Sequence, residues 1–128
     1  MSKREIKLLW GKSGGRCAFQ DCKIELIGND IVYGEQAHII AKRQLGPRGE
    51  SELSAIHREK YENLILLCRN HHIIIDKNPS KYPSELLRDM KIDHEKWVYD
   101  RLNCGNAWEV KLAQVQYLNI PRLSILFV

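Results

Sequence analysis

The sequence lacks the features of membrane and secreted proteins. Among its 128 residues, no apolar run approaches the roughly 20 residues that a membrane-spanning helix needs. The first residues lead into an amphipathic segment rather than into the apolar core of a secretory signal. Internal repeats and low-complexity stretches are absent as well. We therefore expect a cytoplasmic protein without a membrane partner.

The chain has little excess charge of either sign. Twenty Lys and Arg face 16 Asp and Glu, which gives a net charge of +4. This balance permits a polyanionic partner without requiring one. Cysteine is scarce too, with four residues. In a reducing compartment such thiols are more often metal ligands or buried apolar groups than disulfides.

Two short-spaced pairs of metal-binding residues lie far apart in the sequence. Four residues separate Cys17 from Cys22, and two separate Cys68 from His71. Each short spacing lets one turn or helix start present two ligands, and two such units complete the tetrahedron of a structural Zn²⁺ site. The alternative is two buried thiols and a surface histidine, but a turn is a poor place for a core thiol. Cys104 has no partner at this spacing and is expected to be a core or incidental residue.

Apolar spacing and turn signals predict short elements along the chain. Helices are expected over residues 3–10, 55–62, 69–77 and 83–102, and short apolar or strand segments over residues 24–27, 31–33, 35–40 and 64–67. The basic stretch over residues 42–54 is long for a structureless connection, and such loops are often functional. We expect one domain over residues 1–102. Residues 103–128 are interpreted as a C-terminal strand and apolar extension that forms an interface or a junction to another domain.

The strongest signal is the stretch from Asn63 to His72. An Asn opens an apolar run, a Cys/His pair leads into a helix, and a further His directly follows that pair. Together with Ala37-His38-Ile39 on the upstream predicted strand, this arrangement resembles the HNH nuclease motif. The resemblance covers about residues 10–98. It implies an α+β fold, namely a small zinc-stabilised ββα-metal finger, treble-clef-like, with flanking helices around a catalytic cation.

The resemblance also implies catalytic roles. His38 would be the general base that deprotonates the attacking water, since its ordinary pKa of about 6.5 lies near cellular pH. Asn63 would fix the loop between strand and helix and orient the His38 ring through a hydrogen bond. His72 and Asp76, which share one helix face, would bind catalytic Mg²⁺ or Mn²⁺ at the scissile phosphate. The basic residues after the base strand would contact flanking phosphates: Lys42, Arg43 and Arg48.

One position departs from the family pattern. Many relatives carry an Asp or His metal ligand directly before the base, and Ala37 cannot serve as one. Either His72 and Asp76 hold the cation together with waters and phosphate oxygens, or Glu35 reaches it from the same strand face. Ala37 also keeps open a catalytically inactive alternative, a zinc-stabilised nucleic-acid-binding or scaffold module.

The expected function is a metal-dependent HNH endonuclease that cleaves double-stranded DNA in bacterial anti-phage defence or restriction. The segment over residues 123–128 is apolar to its end, which would suit docking of a second copy or a sensor domain. Nothing in the sequence distinguishes DNA from RNA as the substrate. His57 and His94 lie outside the motif and are expected to be structural or surface residues.

Overall fold

The computed structural model describes residues 1–103, which form a mixed α+β arrangement of four α-helices and two short sheets. The helices are Lys3–Ser13 (α1), Ala55–Arg58 (α2), Arg69–Lys77 (α3) and Ser84–Leu102 (α4), and the strands are Ile27–Gly28 (β1), Ile31–Val32 (β2), Gly34–His38 (β3) and Leu64–Cys68 (β4). One compact unit spans Met1–Val98. The predictions for Cys104 and for the extension beyond Asn103 lie outside the described residues. Across residues 1–103, no helix combines the length and apolarity that crossing a membrane requires.

Helix α1 begins and ends at residues suited to those positions. The Ser2 side chain accepts a hydrogen bond from the Glu5 backbone N–H at 3.4 Å and caps the helix. Gly14 ends it in the left-handed region, at a φ of 63°. A Cβ there would lie 3.0 Å from Val98 Cγ1, so glycine also lets the end of α1 approach α4. The helix continues past the predicted end at residue 10, because an interior glycine such as Gly11 costs only about 0.5–1 kcal/mol relative to alanine.

The central sheet pairs β3 with β4 in antiparallel register, with Gly34 opposite Cys68 and His38 opposite Leu64. Every residue of β4 is buried, as expected for a strand that is covered on both faces. Two neighbouring residues of β3 show which helix packs on each face of the sheet. A Cβ on Gly34 would lie 2.7 Å from Trp10 of α1, whereas Glu35 contacts His72 of α3. The two helices therefore lie on opposite faces of the sheet.

The segment between β3 and α2 contains no regular element but is tied down by a buried arginine. Arg58 is 3% exposed and donates hydrogen bonds to three backbone carbonyl oxygens of this segment, those of Leu53, Ala41 and Ser51. A buried carbonyl without a partner would be costly, so these bonds account for the position of Arg58. The predicted basic loop is therefore held in a fixed position by hydrogen bonds to Arg58.

His94 of α4 is fully buried and has a structural role, in agreement with the sequence interpretation. Its Nε2 lies 2.8 Å from the Ser13 carbonyl oxygen and donates to it, and its Nδ1 accepts from Lys23 Nζ at 2.7 Å. The ring thus connects the end of α1 to the turn that contains Cys22. Burial lowers the pKa of His94, with the nearby Lys23 charge acting in the same direction and Glu95 acting against it.

We expect this burial to make stability depend on pH. In the unfolded chain His94 has an ordinary pKa of about 6.5, whereas in the folded chain its pKa is lower. The free energy of unfolding should therefore fall as the pH drops below about 6.5, by at most about 1.4 kcal/mol per pH unit from this group. Urea unfolding at pH 7.5 and 5.5 measures the effect. His94→Gln should be less stable at pH 7.5 yet lose part of the pH dependence, while His57→Gln at an exposed position should retain it. Equal pH dependence in His94→Gln and wild type would contradict this assignment.

Candidate functional site

The four predicted zinc ligands lie together. The ligand atoms of Cys17, Cys22, Cys68 and His71 are all within 4.8 Å of one another, and we call this group the Cys/His cluster. His71 Nδ1 is 3.7 Å from Cys17 Sγ and 3.3 Å from Cys68 Sγ. Tetrahedral zinc with bonds of about 2.3 Å to sulfur and 2.0 Å to nitrogen separates such atoms by about 3.5 Å. The cluster can therefore hold a metal ion such as zinc.

Local structure presents these ligands to one point. The first two lie in the turn after α1, and Ala18 N–H donates to the Leu66 carbonyl oxygen at 2.8 Å, which fastens that turn to β4. Cys68 ends β4, and His71 lies in the first turn of α3. The Phe19 ring stacks on the His71 ring, with centroids 3.9 Å apart and planes at 3°.

Burial favours the neutral forms of Cys17 and His71 in the metal-free Cys/His cluster. Burial raises the pKa of the Cys17 thiol to about 12 and lowers the pKa of His71. A metal ion would replace the thiol proton, because the thiolate is the form that coordinates. No disulfide joins the cysteines within residues 1–103. The donor set of three sulfurs and one nitrogen is typical of structural zinc.

A second polar group lies one residue further along α3. His72 Nε2 is 3.1 Å from Asp76 Oδ2. Since these two atoms are the candidate ligands of a cation, we call them the cation pair. On the other side of the ring, Nδ1 is 2.9 Å from Glu35 Oε1. The hydrogen bond with Asp76, followed by that with Glu35, raises the pKa of His72 although burial opposes the shift. Burial also opposes the shift at Asp76, but hydrogen bonds from His72 and Arg48 hold the pKa of that carboxyl below its usual value.

The contact between His72 and Asp76 is an ion pair when the ring is protonated, and its length is also close to the spacing of neighbouring ligands on a divalent cation. Octahedral Mg²⁺ with bonds of about 2.1 Å places adjacent ligands about 3 Å apart, close to the observed 3.1 Å. His72 and Asp76 are 27% and 34% exposed, so waters and phosphate oxygens can complete the shell. Within residues 1–103, the Cys/His cluster is the one set of three or more ligands that lie mutually close, so the cation pair supplies only two protein ligands.

Glu35 lies beside His72 but contacts the ring nitrogen on the side away from Asp76. The two nitrogens of an imidazole ring point to opposite sides, and Glu35 binds the nitrogen that does not face Asp76. The proposed substitute ligand is therefore better described as the partner that orients His72. The sequence prediction correctly placed Glu35 near the site, because residues 35 and 37 share a strand face.

His38 belongs to a separate group of contacts. Its Nε2 is 2.8 Å from Glu59 Oε1, and Glu59 Oε2 accepts from the N-terminal ammonium at 2.7 Å. Hydrogen bonds from that ammonium and then from His38 hold the pKa of Glu59 below its usual value. Because side chains alternate along a strand, His38 shares the α1 face with Gly34, whereas Glu35 points toward α3. Sequence reasoning missed Glu59, which lies in a polar turn without a motif.

Asn63 bonds the backbone and does not bond the His38 ring. Its Nδ2 donates to the Ile40 and Arg58 carbonyl oxygens, each at 2.8 Å, and its Oδ1 accepts from the Ile40 N–H at 2.9 Å. These bonds tie the segment after β3 to the end of α2. The predicted hydrogen bond to His38 is wrong, because local backbone groups take the amide and Glu59 takes the ring.

The three predicted phosphate contacts differ in exposure. Lys42 and Arg43 are exposed and line a cleft of about 510 Å³ together with Lys60 and Glu59. Lys60 was not singled out from the sequence. The Arg48 side chain is only 5% exposed and is bonded to the protein, so the structure contradicts its prediction as a phosphate contact.

The chain matches no protein-family model and no curated protein. The resemblance to HNH nucleases therefore depends on the spacing of the motif residues and on the two polar groups described above. The Cys/His cluster, the cation pair and the His38–Glu59 contact are the features that a proposed function must use.

Proposed function

We propose that this chain is a metal-dependent HNH endonuclease that hydrolyses phosphodiester bonds in double-stranded DNA, in bacterial defence or restriction. The observation that carries the proposal is the cation pair, His72 Nε2 and Asp76 Oδ2 at 3.1 Å, on the helix whose first turn contributes to the Cys/His cluster. Zinc in that cluster would hold the start of α3, and therefore the cation pair, in place against β4.

The proposed reaction divides the work between the two polar groups, and it requires the DNA to meet both at the end of β3, because His38 and the cation pair belong to opposite faces of that strand. A divalent cation held by the cation pair would neutralise charge on the scissile phosphate and the leaving oxygen. Glu35 binds His72 Nδ1 and so keeps Nε2 directed at that position. Glu59 accepts the hydrogen bond from Nε2–H of His38, which leaves the lone pair of Nδ1 to take a proton from water. Lys42 and Arg43, exposed beside this group, would bind the flanking phosphates.

Plasmid nicking tests the proposal. Purified protein with Mg²⁺ or Mn²⁺ should convert supercoiled plasmid to the nicked form, and EDTA should stop the reaction. His72→Ala should reduce the rate about 100-fold or more because it removes one atom of the cation pair. His57→Ala, at an exposed histidine of α2, serves as the matched control and should retain full activity. Parallel digests of single-stranded DNA and RNA identify the substrate class.

The separation of His38 and His72 on opposite faces of β3 favours a second candidate function. In that alternative the chain is an inactive zinc-stabilised nucleic-acid-binding or scaffold module. DNA binding without nicking at any divalent metal would establish the module and overturn the nuclease proposal.

A further inference from the structure

Arg48 is the most extensively bonded buried side chain near the candidate site. Its Nε donates to the Ile39 carbonyl oxygen at 2.7 Å. Its Nη1 donates to the carbonyl oxygens of Ile75 at 2.9 Å and Tyr82 at 3.4 Å, and its Nη2 donates to Asp76 Oδ1 at 2.7 Å. One guanidinium therefore contacts the end of β3, the last turns of α3 and the segment before α4.

The conformation of the loop that carries Arg48 places this side chain against the protein. Arg48 itself has a φ of 56°, in the left-handed region that costs a non-glycine residue about 1 kcal/mol or more. A Cβ on Gly49 would lie 2.4 Å from the Arg43 carbonyl oxygen, so the chain packs too closely there for a side chain. The Ala41 N–H donates to the Pro47 carbonyl oxygen at 3.1 Å and closes the loop.

We infer that Arg48 is a positioning residue that joins the two halves of the candidate site, an inference that rests on the proposed function. Ile39 directly follows His38, so the bond to its carbonyl oxygen fixes the backbone beside the base. The Asp76 carboxylate uses Oδ1 for Arg48 and Oδ2 for His72. Arg48 thereby directs Oδ2 toward the cation position and sets its place relative to the end of β3.

Mn²⁺ binding to the zinc-loaded full chain, measured by electron paramagnetic resonance without DNA, tests this role. Arg48→Lys keeps the charge but loses the planar fork, and it should weaken Mn²⁺ binding about tenfold or more. Arg58→Lys is the matched control, because Arg58 is also buried and binds three loop carbonyls but does not contact Asp76. Both variants should melt at lower temperature, and only Arg48→Lys should lose Mn²⁺ affinity. Equal losses in both variants, or none in Arg48→Lys, would overturn the inference.

A double variant tests whether the effect passes through the carboxylate. If Arg48 acts through Asp76, Arg48→Lys combined with Asp76→Asn should bind Mn²⁺ as weakly as Asp76→Asn alone, whereas additive losses would contradict the inference. A wild-type crystal soaked in Mn²⁺ requires no variant. It should show Asp76 Oδ2 bound to the ion and Asp76 Oδ1 bound to Arg48. An ion bound by both Asp76 oxygens, with Arg48 displaced, would overturn the positioning role.

The same measurements separate this inference from the proposed function. Wild-type protein that binds Mn²⁺ at the cation pair but does not nick DNA would overturn the nuclease proposal, while the Mn²⁺ comparison would still decide the role of Arg48. Wild-type protein that binds no Mn²⁺ would overturn both.

Discussion

Replacing His38 with alanine is expected to reduce plasmid nicking by about 10² to 10⁴-fold, the usual contribution of a general base. The ring is held at one nitrogen by Glu59, and in the proposed reaction it alone takes the proton from the attacking water. Initial rates at saturating Mn²⁺, compared with wild type, measure the loss. Mn²⁺ affinity should stay unchanged, because His38 and the cation pair lie on different faces of β3.

Glu59→Gln is a milder variant that tests the same site. It keeps the size of the side chain and removes the charge that favours Nε2–H on His38, so the rate should fall by less than in His38→Ala. Nicking that survives His38→Ala but requires the cation pair would show that another group is the base. In that case the contact with Glu59 would be structural only.

Removing the metal from the Cys/His cluster is expected to abolish cooperative folding. The cluster connects the turn after α1 to the end of β4 and the start of α3, so one ion closes long stretches of chain. Zinc binding in small domains is worth about 10–16 kcal/mol, which equals or exceeds the about 5–15 kcal/mol of typical domain stability. A strong chelator, or Cys17→Ser, should therefore eliminate the sigmoidal melt that circular dichroism records for the loaded protein.

Cys104→Ser provides the control for this experiment, because its position has no partner at ligand spacing. It should retain one zinc per chain, measured by mass spectrometry of the metal. A chelated sample that keeps the wild-type melting transition would show that the cluster does not support the fold.

Local elements near the site were predictable because their signals are local. Residues 69–77 form α3 as expected, since Asn78-Pro79 cannot continue a helix. The run of apolar residues at 64–67 became a fully buried strand. The four ligands of the Cys/His cluster were found for the same reason, because each pair lies within one turn.

Contacts between distant residues were not predictable in this way. Arg48 and Arg43 lie in one basic loop and are chemically identical in sequence, yet one is buried against Asp76 and the other is exposed. The bond between His38 and Glu59 spans two elements and an irregular segment. No rule based on periodicity or spacing predicts such residue pairs, because they depend on how the helices and strands pack together.

The sequence by itself determined which residues can serve as ligands, where α3 and β4 lie, and that His72 and Asp76 share a helix face. Those properties follow from side-chain chemistry and from distances of a few residues along the backbone. Only the tertiary structure decided that Glu35 orients His72, that Asn63 bonds the backbone, and that Arg48 is buried against Asp76. Burial and strand-face assignment select among chemically similar partners, and both arise when α1 and α3 pack on opposite faces of the sheet.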